Sequence, residues 1–306
     1  MGFKFLPNGC SWYETNRLGG CVRRPARREC ALPDGAARAR HSLAVIIPYR
    51  AAAWGGEARL PAMKQLCRRL AEQLARHEEL DYRIFVSNQT DQHPFNRGAL
   101  VNAAVGALRR RHEWSEFDFL AIHDVDRFPA QTNDSACARA SYDYYTFPPA
   151  EPRALNPSSF AGGVLVINTH LFSAVNGFSN QFWGWGEEDN DLFIRLRWCG
   201  LPPKHGDELE RCMEHRDCAA CKQQKRELNQ SALRSHEARL RARLSHPRPF
   251  MLQDGLSTLN STVNSVHSRL CSKTKVTVLQ VNLAPHWRAQ RLAREGRSYS
   301  IGKKKT

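Results

Sequence analysis

The chain has 306 residues, of which 42% are hydrophobic and 25% are charged, and this balance is ordinary for a globular protein with a substantial core. No run of the sequence approaches the roughly 20 apolar residues that a membrane-spanning helix needs, so we expect membrane contact only through an anchor that this sequence lacks. The formal net charge of +15 could favour anionic partners, but much of it comes from the two ends of the chain, and we expect no nucleic-acid partner.

The first half of the chain alternates between strand-like and helix-like segments. An apolar, β-branched run that ends near Pro48 is typical of a buried parallel strand, and the helical segments repeat apolar residues at a spacing of three and four. The predicted elements are a strand at 42–49, a helix at 60–78, a strand at 82–87, a helix at 96–109 and a strand at 117–122. This order predicts right-handed crossovers and a parallel sheet, with ligands at the carboxyl ends of the strands.

The second half adds shorter elements and a highly charged segment. The predicted elements are a Tyr- and Pro-rich loop at 141–157, a strand at 164–168, a helix at 192–198, mostly helical structure at 207–247, and a turn and final strand pair within 251–263 and 276–283. The fold class is therefore α/β, a mostly parallel, Rossmann-like sheet flanked by helices. We expect the following division of the chain: a basic arm at 1–40, one domain at 41–285 with halves at about 41–130 and 158–285, and a basic tail at 286–306.

Two acidic residues, Asp124 and Asp126, flank Val125 directly after the third predicted strand. Alternate side chains after a strand end can converge on one hard cation, and Mg²⁺ and Mn²⁺ prefer carboxylate and phosphate oxygens. A metal held there would stabilise the negative charge that develops on a leaving nucleotide. Asp-x-Asp is also common in loops, and its place after a buried strand is what favours the metal interpretation.

The segment WGWGEEDND combines two indoles, two glycines and four carboxylates, which is typical of a carbohydrate site. Glu188 or Asp189 could remove a proton from an acceptor hydroxyl. Acidic residues also complement the dipole at a helix start, so Asp191 and Glu187 could cap a helix while Asp189 reacts. The glycines would let the backbone hinge and bring Trp185 over a bound sugar.

Further downstream, Met213 and His215 could complete a metal shell with a thioether and an imidazole. The rival interpretation is a zinc site or a disulfide built from nearby cysteines. These are Cys199, Cys212, Cys218 and Cys221. The ten cysteines of the chain are compatible with an oxidising compartment, but their spacing does not reveal how they pair.

Two arginines, Arg50 and Arg97, each follow a strand–turn segment on the predicted ligand edge. Arginine suits a diphosphate because its planar fork makes bidentate contacts. A surface salt bridge is the alternative for each.

Seven motifs stand in a fixed order along the chain: Ile47-Pro48-Tyr49-Arg50, Phe95-Asn96-Arg97-Gly98-Ala99-Leu100, His123-Asp124-Val125-Asp126, Gly162-Gly163-Val164, Asn176-Gly177-Phe178-Ser179-Asn180, Trp183 to Asp189 and Met251-Leu252-Gln253-Asp254-Gly255-Leu256. Together these motifs resemble the β-1,4-galactosyltransferase family, and they occur in the family's order over roughly residues 42–284. The resemblance implies a GT-A glycosyltransferase fold, a Mn²⁺ cofactor, a UDP-galactose donor, a glycan or glycoprotein acceptor and a Golgi location.

The resemblance also implies roles for individual residues in a single in-line displacement that inverts the anomeric carbon. Asp126 and His215 would bind the metal, with Met213 as a further ligand. Asp189 would be the catalytic base, and Glu188 would grip the acceptor.

The remaining implied roles concern binding. The predicted nucleotide-sugar-binding residues are Pro48, Tyr49, Arg50, Phe95, Arg97, Asp124, Val125, Phe160 and Trp185. The predicted acceptor-binding residues are Trp185, Gly186, Glu188 and Asp189. Trp185 would act as a mobile lid.

Within the resemblance, His123 before the Asp-Val-Asp motif and the short Met-x-His spacing favour the xylose of a proteoglycan linker as acceptor. An N-acetylglucosamine acceptor and a UDP-N-acetylgalactosamine donor stay open, because Phe160 replaces the tyrosine usual before the Gly-Gly pair. Two other classes also stay open. One is a non-catalytic glycan-binding protein, and the other is a basic nucleic-acid-binding protein with a zinc-like cysteine cluster.

Overall fold

The structure is a computed structural model that describes residues 12–15, 21–24, 41–50, 59–130, 134–146, 152–155, 161–215, 227, 230–245, 247–268 and 276–284. The strands are β1 (Trp12–Thr15), β2 (Cys21–Arg24), β3 (His41–Tyr49), β4 (Leu80–Gln89), β5 (Phe119–His123), β6 (Arg127–Pro129), β7 (Arg153–Ala154), β8 (Val164–Asn168), β9 (Lys204–His205), β10 (Met213–His215), β11 (Ser261–Ser268) and β12 (Val276–Leu283). The helices are α1 (Leu60–Leu74), α2 (Arg97–Arg110), α3 (Ser135–Thr146), α4 (Thr169–Ala174), α5 (Glu188–Trp198), α6 (Asp207–Arg211), α7 (Gln230–Ser245) and α8 (Pro247–Gln253).

An eight-stranded mixed sheet, in the order β11-β12-β4-β3-β5-β8-β7-β9, forms the centre of the protein. The pairs β12–β4, β4–β3, β3–β5 and β7–β9 are parallel, whereas β11–β12, β5–β8 and β8–β7 are antiparallel. The predicted α/β fold is therefore confirmed, with antiparallel strands added on both sides of the parallel centre.

The central strand β3 is buried on both faces, which explains its continuous apolar sequence. Leu43, Val45 and Ile47 pack in one cluster with the apolar face of α1. Ala44 and Ile46 pack on the opposite face with α2. Helices therefore cover both sides of the parallel strands, as the β-α-β-α-β order predicts.

The interpretation of residues 141–157 as a loop is wrong for residues 141–146, which belong to α3. Tyr144 and Tyr145 are almost fully buried there. The hydroxyl of Tyr144 donates to the carbonyls of Arg153 and Val164, at 3.0 and 2.8 Å. The tyrosines that suggested an irregular segment instead anchor a helix to the neighbouring strands β7 and β8.

The predicted division of the chain into arm, domain and tail stays a prediction. In the predicted basic arm, β1 and β2 pair antiparallel, and the remaining residues there lie outside the described ranges, as do residues 286–306. No helix among the described residues combines the length and the apolar character needed to cross a bilayer.

Candidate active site

The carboxyl end of β5 places the first acidic pair at the edge of the parallel sheet. Asp124 and Asp126 are half-buried, whereas Val125 between them is buried in the core. The turn is held by the Asp124 N–H, which donates to the Gly163 carbonyl at 3.0 Å, and by its carbonyl, which accepts from Arg127 N–H at 3.2 Å. The two carboxylates therefore leave the sheet on the ligand side while Val125 packs inward.

Beneath this turn lies His123, the last residue of β5, which is fully buried. Its Nδ1 is 3.1 Å from the Asp124 carbonyl oxygen. Burial lowers the pKa of His123 to about 4, so the imidazole is neutral near pH 7. A neutral imidazole can donate to that carbonyl without adding charge under the acidic pair.

The start of α2 brings an arginine to the same edge. Asn96 caps the helix, because its Oδ1 accepts from the Ala99 N–H at 2.9 Å. The next residue, Arg97, donates from Nε to Asp124 Oδ1 at 2.6 Å, and its Nη1 lies 4.0 Å from Glu188 Oε1. Arg97 therefore joins the two acidic motifs that the sequence separates by about sixty residues.

The side chain of Arg97 is 10% exposed, and its guanidinium carbon lies 5.5 Å from the ring centre of Phe178. Burial alone would lower the pKa of Arg97, but the carboxylates of Asp124, Glu188 and Asp189 raise it, so the group is a permanent cation. Its Nη1 and Nη2 are buried and have no hydrogen-bond partner within the described part of the chain. Two charged donors thus remain for an anionic or polar ligand.

The second acidic pair begins α5. The Asp189 carbonyl accepts from the Ala161 N–H at 3.4 Å, and its Oδ1 accepts from the Asn190 N–H at 2.9 Å. Burial raises the pKa of Glu188, and the neighbouring Asp189 raises it further, while Arg97 opposes both effects. Burial also raises the pKa of Asp189, again against the opposing charge of Arg97. A carboxylate whose pKa is raised is a stronger base, as proton removal from a hydroxyl requires.

The acidic residues stand at a helix start, as the dipole interpretation expects, because Glu188, Asp189 and Asp191 lie in the first turn of α5. The side chains of Asp191 and Glu187 do not cap the helix, however. Glu187 occupies the N-cap position with a left-handed backbone (φ 73°), but its side chain does not cap the helix and instead accepts from Asn190 at 2.6 Å. Asp191 is buried and pairs with Arg195 at 2.7 Å and with Arg243. Glu187 therefore bonds within the start of α5, whereas Asp191 ties α5 to Arg243 of α7.

The two indoles of the tryptophan motif differ in their surroundings. Trp183 is 8% exposed, packs in the core and lies edge-on to His93, with 5.6 Å between ring centres. Trp185 is half-buried and stands between Gly184 and Gly186, both at positive φ (98° and 103°). Trp183 thus holds the base of the segment, Trp185 is the more exposed of the two indoles, and the role of Trp185 over a bound sugar stays a prediction.

The backbone of the predicted downstream metal ligands lies beside the Asp-Val-Asp turn. Strand β10 pairs antiparallel with β6, so His215 stands opposite Arg127 and Met213 opposite Pro129. The side chain of His215 lies outside the described structure, and no group of three or more His, Cys, Asp or Glu side chains in the described ranges forms a metal cluster. The pairing nevertheless brings the backbone of residue 215 opposite Arg127, the residue that follows Asp126.

A disulfide between Cys137 and Cys212 links α3 to the residue before Met213, with 5.4 Å between the Cα atoms. Cys199 is disulfide-bonded as well. Cys199 and Cys212 therefore cannot be thiolate ligands, so the interpretation of a zinc site that includes them is wrong. Cys218 and Cys221 lie outside the described residues.

The other predicted binding residues lie at the same edge with varied surroundings. Arg50 donates from Nη1 to the His93 carbonyl at 2.6 Å and from Nη2 to the Asp91 carbonyl, so it braces the loop after β4. Tyr49 is buried with a hydroxyl that lacks a hydrogen-bond partner among the described residues, and Pro48 lies beside Ser87 in the sheet.

Phe95 packs against the core, and its carbonyl accepts from the Gly184 N–H at 2.7 Å. Because the backbone of Phe95 makes this contact, the identity of its side chain could not have predicted it. Phe160 lies outside the described residues, so its predicted role is untouched by the structure.

One buried network at this site was missed by the sequence analysis. Asp254 accepts from Arg243 at 2.8 Å, from the Asn180 N–H at 2.8 Å and from the Ser179 hydroxyl. Arg195 donates from Nη1 to the Asp254 carbonyl at 2.9 Å. Since Arg195 belongs to α5 and Arg243 pairs with Asp191 of the same helix, the network fixes the helix that carries the second acidic pair.

Comparison with known proteins agrees with this arrangement. Residues 28–138 match a family model described as the N-terminal region of glycosyl transferase group 7, and residues 149–215 match one described as the N-terminal domain of galactosyltransferase. A Drosophila melanogaster relative named β-1,4-galactosyltransferase 7 is 26% identical over 287 residues, which cover 85% of this chain and 75% of the relative. The chain belongs to the β-1,4-galactosyltransferase family.

Other family members show the same similarity over shorter lengths. The human β-1,4-galactosyltransferase 7 is 33% identical over 162 residues, which cover 53% of this chain and 45% of the human protein, so the match spans less than half of that relative. Two crystal structures of the Drosophila β-1,4-galactosyltransferase 7 superimpose with TM-scores of 0.58 and 0.57 at 22% identity, and each match covers 82% of this chain and 98% of that one. The first is a complex with xylobiose, and the second is a mutant bound to manganese, UDP-Gal and xylobiose. The predicted GT-A fold is thereby confirmed.

Proposed function

We propose that this chain is an inverting, Mn²⁺-dependent galactosyltransferase that moves galactose from UDP-galactose to a sugar hydroxyl in β-1,4 linkage, with the xylose of a proteoglycan linker as acceptor. The observation that carries the proposal is the position of Arg97, which hydrogen-bonds Asp124 on the donor side and lies 4.0 Å from Glu188 on the acceptor side. Because Arg97 lies next to both acidic residues, the groups proposed to bind the donor and the acceptor are close enough to serve one reaction.

The residues around the Asp-Val-Asp turn suit a divalent cation. Asp126 follows the end of β5, and the pairing of β10 with β6 puts His215 opposite Arg127, the residue after Asp126, and Met213 opposite Pro129. Carboxylate and imidazole donors with diphosphate oxygens form a shell that Mn²⁺ accepts. The bound metal would supply charge stabilisation at the leaving diphosphate.

Arg97 would share this work from the protein side. Its Nη1 and Nη2 are buried donors without a hydrogen bond to the described residues, at the edge where the donor sugar would lie. A charged donor held in a water-poor site stabilises developing negative charge more strongly than it would in water. Arg50 and Asp124 complete the proposed donor side, with Tyr49, Pro48, Phe95 and Phe160 as its walls and Val125 in the core behind the turn.

On the acceptor side, Asp189 would remove the proton of the attacking hydroxyl, and that oxygen would form the new bond to the anomeric carbon as the UDP oxygen departs. The raised pKa of Asp189 matches this role. Glu188 would hold a neighbouring hydroxyl, and Trp185 with Gly186 would cover the sugar. Because one displacement inverts the carbon, an α-linked donor gives a β-linked product.

Xylose is favoured as acceptor because the relatives named above are β-1,4-galactosyltransferases 7, and the fly enzyme has been crystallised with xylobiose. Membership of the family and the Cys137–Cys212 disulfide also support an oxidising compartment, and we propose the Golgi lumen.

A transfer assay tests the proposal directly. Purified protein with UDP-galactose and Mn²⁺ is offered a β-xyloside, N-acetylglucosamine and buffer alone, and galactosylated product is measured by mass spectrometry. We expect transfer to the β-xyloside that disappears on chelation and in Asp189→Asn. Transfer to N-acetylglucosamine alone would contradict the acceptor assignment, and binding of sugars without any transfer would favour a glycan-binding protein.

A further inference from the structure

Helix α7 lies against the segment that carries Trp185. Arg239 donates from Nη1 to the Gln181 carbonyl at 2.6 Å. The guanidinium carbons of Arg239 and Arg243 lie 5.8 and 5.2 Å from the ring centre of Phe182. The base of the segment is thus held by two side chains from α7.

The same helix reaches the tip of the segment through His236. This side chain is 4% exposed, and its ring lies edge-on to Phe182 with 5.1 Å between centres. The imidazole makes hydrogen-bonding contact with the backbone of Trp185 and Gly186. Its Nδ1 has no hydrogen-bond partner in the described structure, so Nε2 makes the contact.

The charge state of His236 suits a donor to backbone carbonyls. Burial lowers the pKa of His236, and Arg239 lowers it further, while the backbone contacts oppose both. The neutral imidazole has one N–H and one bare nitrogen. When Nε2 carries the proton, the buried Nδ1 has no proton to donate and therefore needs no carbonyl partner.

The contact between His236 and the backbone matters because Trp185 lies between two glycines. Gly184 and Gly186 both adopt positive φ, so Trp185 stands between two positions where the chain can pivot. The Phe95 carbonyl holds the first pivot through the Gly184 N–H. His236 holds the second, and Leu233 packs so closely that a Cβ on Gly186 would lie 3.0 Å from its Cδ1.

We infer that His236 is a positioning residue that fixes the backbone at Trp185 and Gly186 and so orients the Trp185 indole over the acceptor sugar. The fixing of the backbone stands on the contacts alone. The consequence for acceptor binding rests on the proposed function.

Hydrogen exchange of the full chain, followed by mass spectrometry of peptides within 183–191, tests the anchor without any substrate. In His236→Phe the ring still packs on Phe182 but the N–H donor is lost, whereas His236→Gln keeps a donor of similar reach. We expect exchange in this segment to become at least about tenfold faster in His236→Phe and His236→Ala, and to stay within about threefold of wild type in His236→Gln. Glu237→Ala, at the next and more exposed position of α7, is the matched control and should leave exchange unchanged.

Two results would overturn the anchor: wild-type exchange in His236→Phe, or equal acceleration in Glu237→Ala. The second readout is acceptor kinetics with a β-xyloside, where we expect KM for the acceptor to rise about fivefold or more in His236→Phe while KM for UDP-galactose changes less than twofold. Equal changes in both constants would contradict the positioning of Trp185 by His236. If the wild-type chain transfers no galactose, the proposed function fails, and hydrogen exchange still decides the anchor.

Discussion

The Nε of Arg97 donates a 2.6 Å hydrogen bond to Oδ1 of Asp124, and this bond ties the start of α2 to the end of β5. The same guanidinium faces Glu188 at the start of α5. Three segments that are distant in sequence therefore meet around one buried cation. The side chain of Arg97 therefore connects the proposed donor side with the proposed acceptor side.

The first prediction concerns the metal. Asp126→Ala should remove Mn²⁺-dependent binding of UDP, because a carboxylate that neutralises the cation is lost. Isothermal titration with UDP, with and without Mn²⁺, measures the effect, and we expect affinity in Mn²⁺ to fall at least about tenfold. Asp81→Ala, at an exposed position of β4, is the control. Unchanged Mn²⁺-dependent affinity in Asp126→Ala would remove this residue from the metal shell.

The second prediction concerns the base. Asp189→Asn keeps the size and the hydrogen bond to Asn190 N–H but cannot accept a proton, so kcat should fall by roughly 10²–10⁴ or more. UDP binding should be nearly unchanged because the contacts of Arg97 and Asp124 stay in place. A variant with ordinary turnover would assign proton removal to another group.

The third prediction concerns pH and stability. The folded protein holds the pKa of Glu188 above its ordinary value, so it binds the proton more tightly than the unfolded chain does. The stability that protonated Glu188 contributes is present at low pH and is lost as pH rises from the ordinary carboxyl range through the raised pKa. Glu188→Gln cannot ionise and escapes this loss.

Thermal unfolding at pH 5 and pH 8.5 measures the difference. Since one pKa unit corresponds to about 1.4 kcal/mol, and about 1 kcal/mol moves Tm by roughly 2–4 °C, we expect Glu188→Gln to raise Tm at pH 8.5 by about 3 °C or more, with a smaller effect at pH 5. Glu72→Gln, on the exposed side of α1, should show neither effect. A lower Tm for Glu188→Gln at the higher pH would mean that ionised Glu188 stabilises the fold.

The fourth prediction concerns the buried network beneath α5. Asp254→Ala leaves Arg243 and Arg195 with less compensation in the protein interior, where both are almost fully buried. Breaking a buried pair in this way costs about 3–5 kcal/mol, so chemical denaturation should show a loss of that size. Asp207→Ala, at an exposed position of α6, should change stability by less than about 0.5 kcal/mol. A loss below about 1 kcal/mol in Asp254→Ala would mean that solvent reaches the arginines.

The sequence placed Asp124 and Arg97 at the same edge of the sheet, because parallel strands end at one edge and the helix after β4 begins there, but it did not predict the bond between them. The pattern of apolar residues also located strand β8 at 164–168 with the observed bounds. Both results depend on local periodicity and on the rules of sheet topology.

The contacts of Asp191, Arg243 and Asp254 could not be predicted in this way. Arg243 and Asp191 are 52 residues apart, and charged residues on a basic helix usually face solvent, so no local pattern marks them as a buried pair. The contact between His236 and Trp185 is of the same kind. The one signal in the sequence was the Met251 to Leu256 motif, which contains Asp254 without revealing its partners.

The most direct test is the crystal structure of the chain with Mn²⁺, UDP and a β-xyloside, with manganese located by anomalous scattering. The account predicts a manganese peak bonded to Asp126, the diphosphate between that metal and Arg97, and a xylose hydroxyl within hydrogen-bonding distance of Asp189. Manganese at another surface, or an acceptor bound away from Asp189, would contradict it.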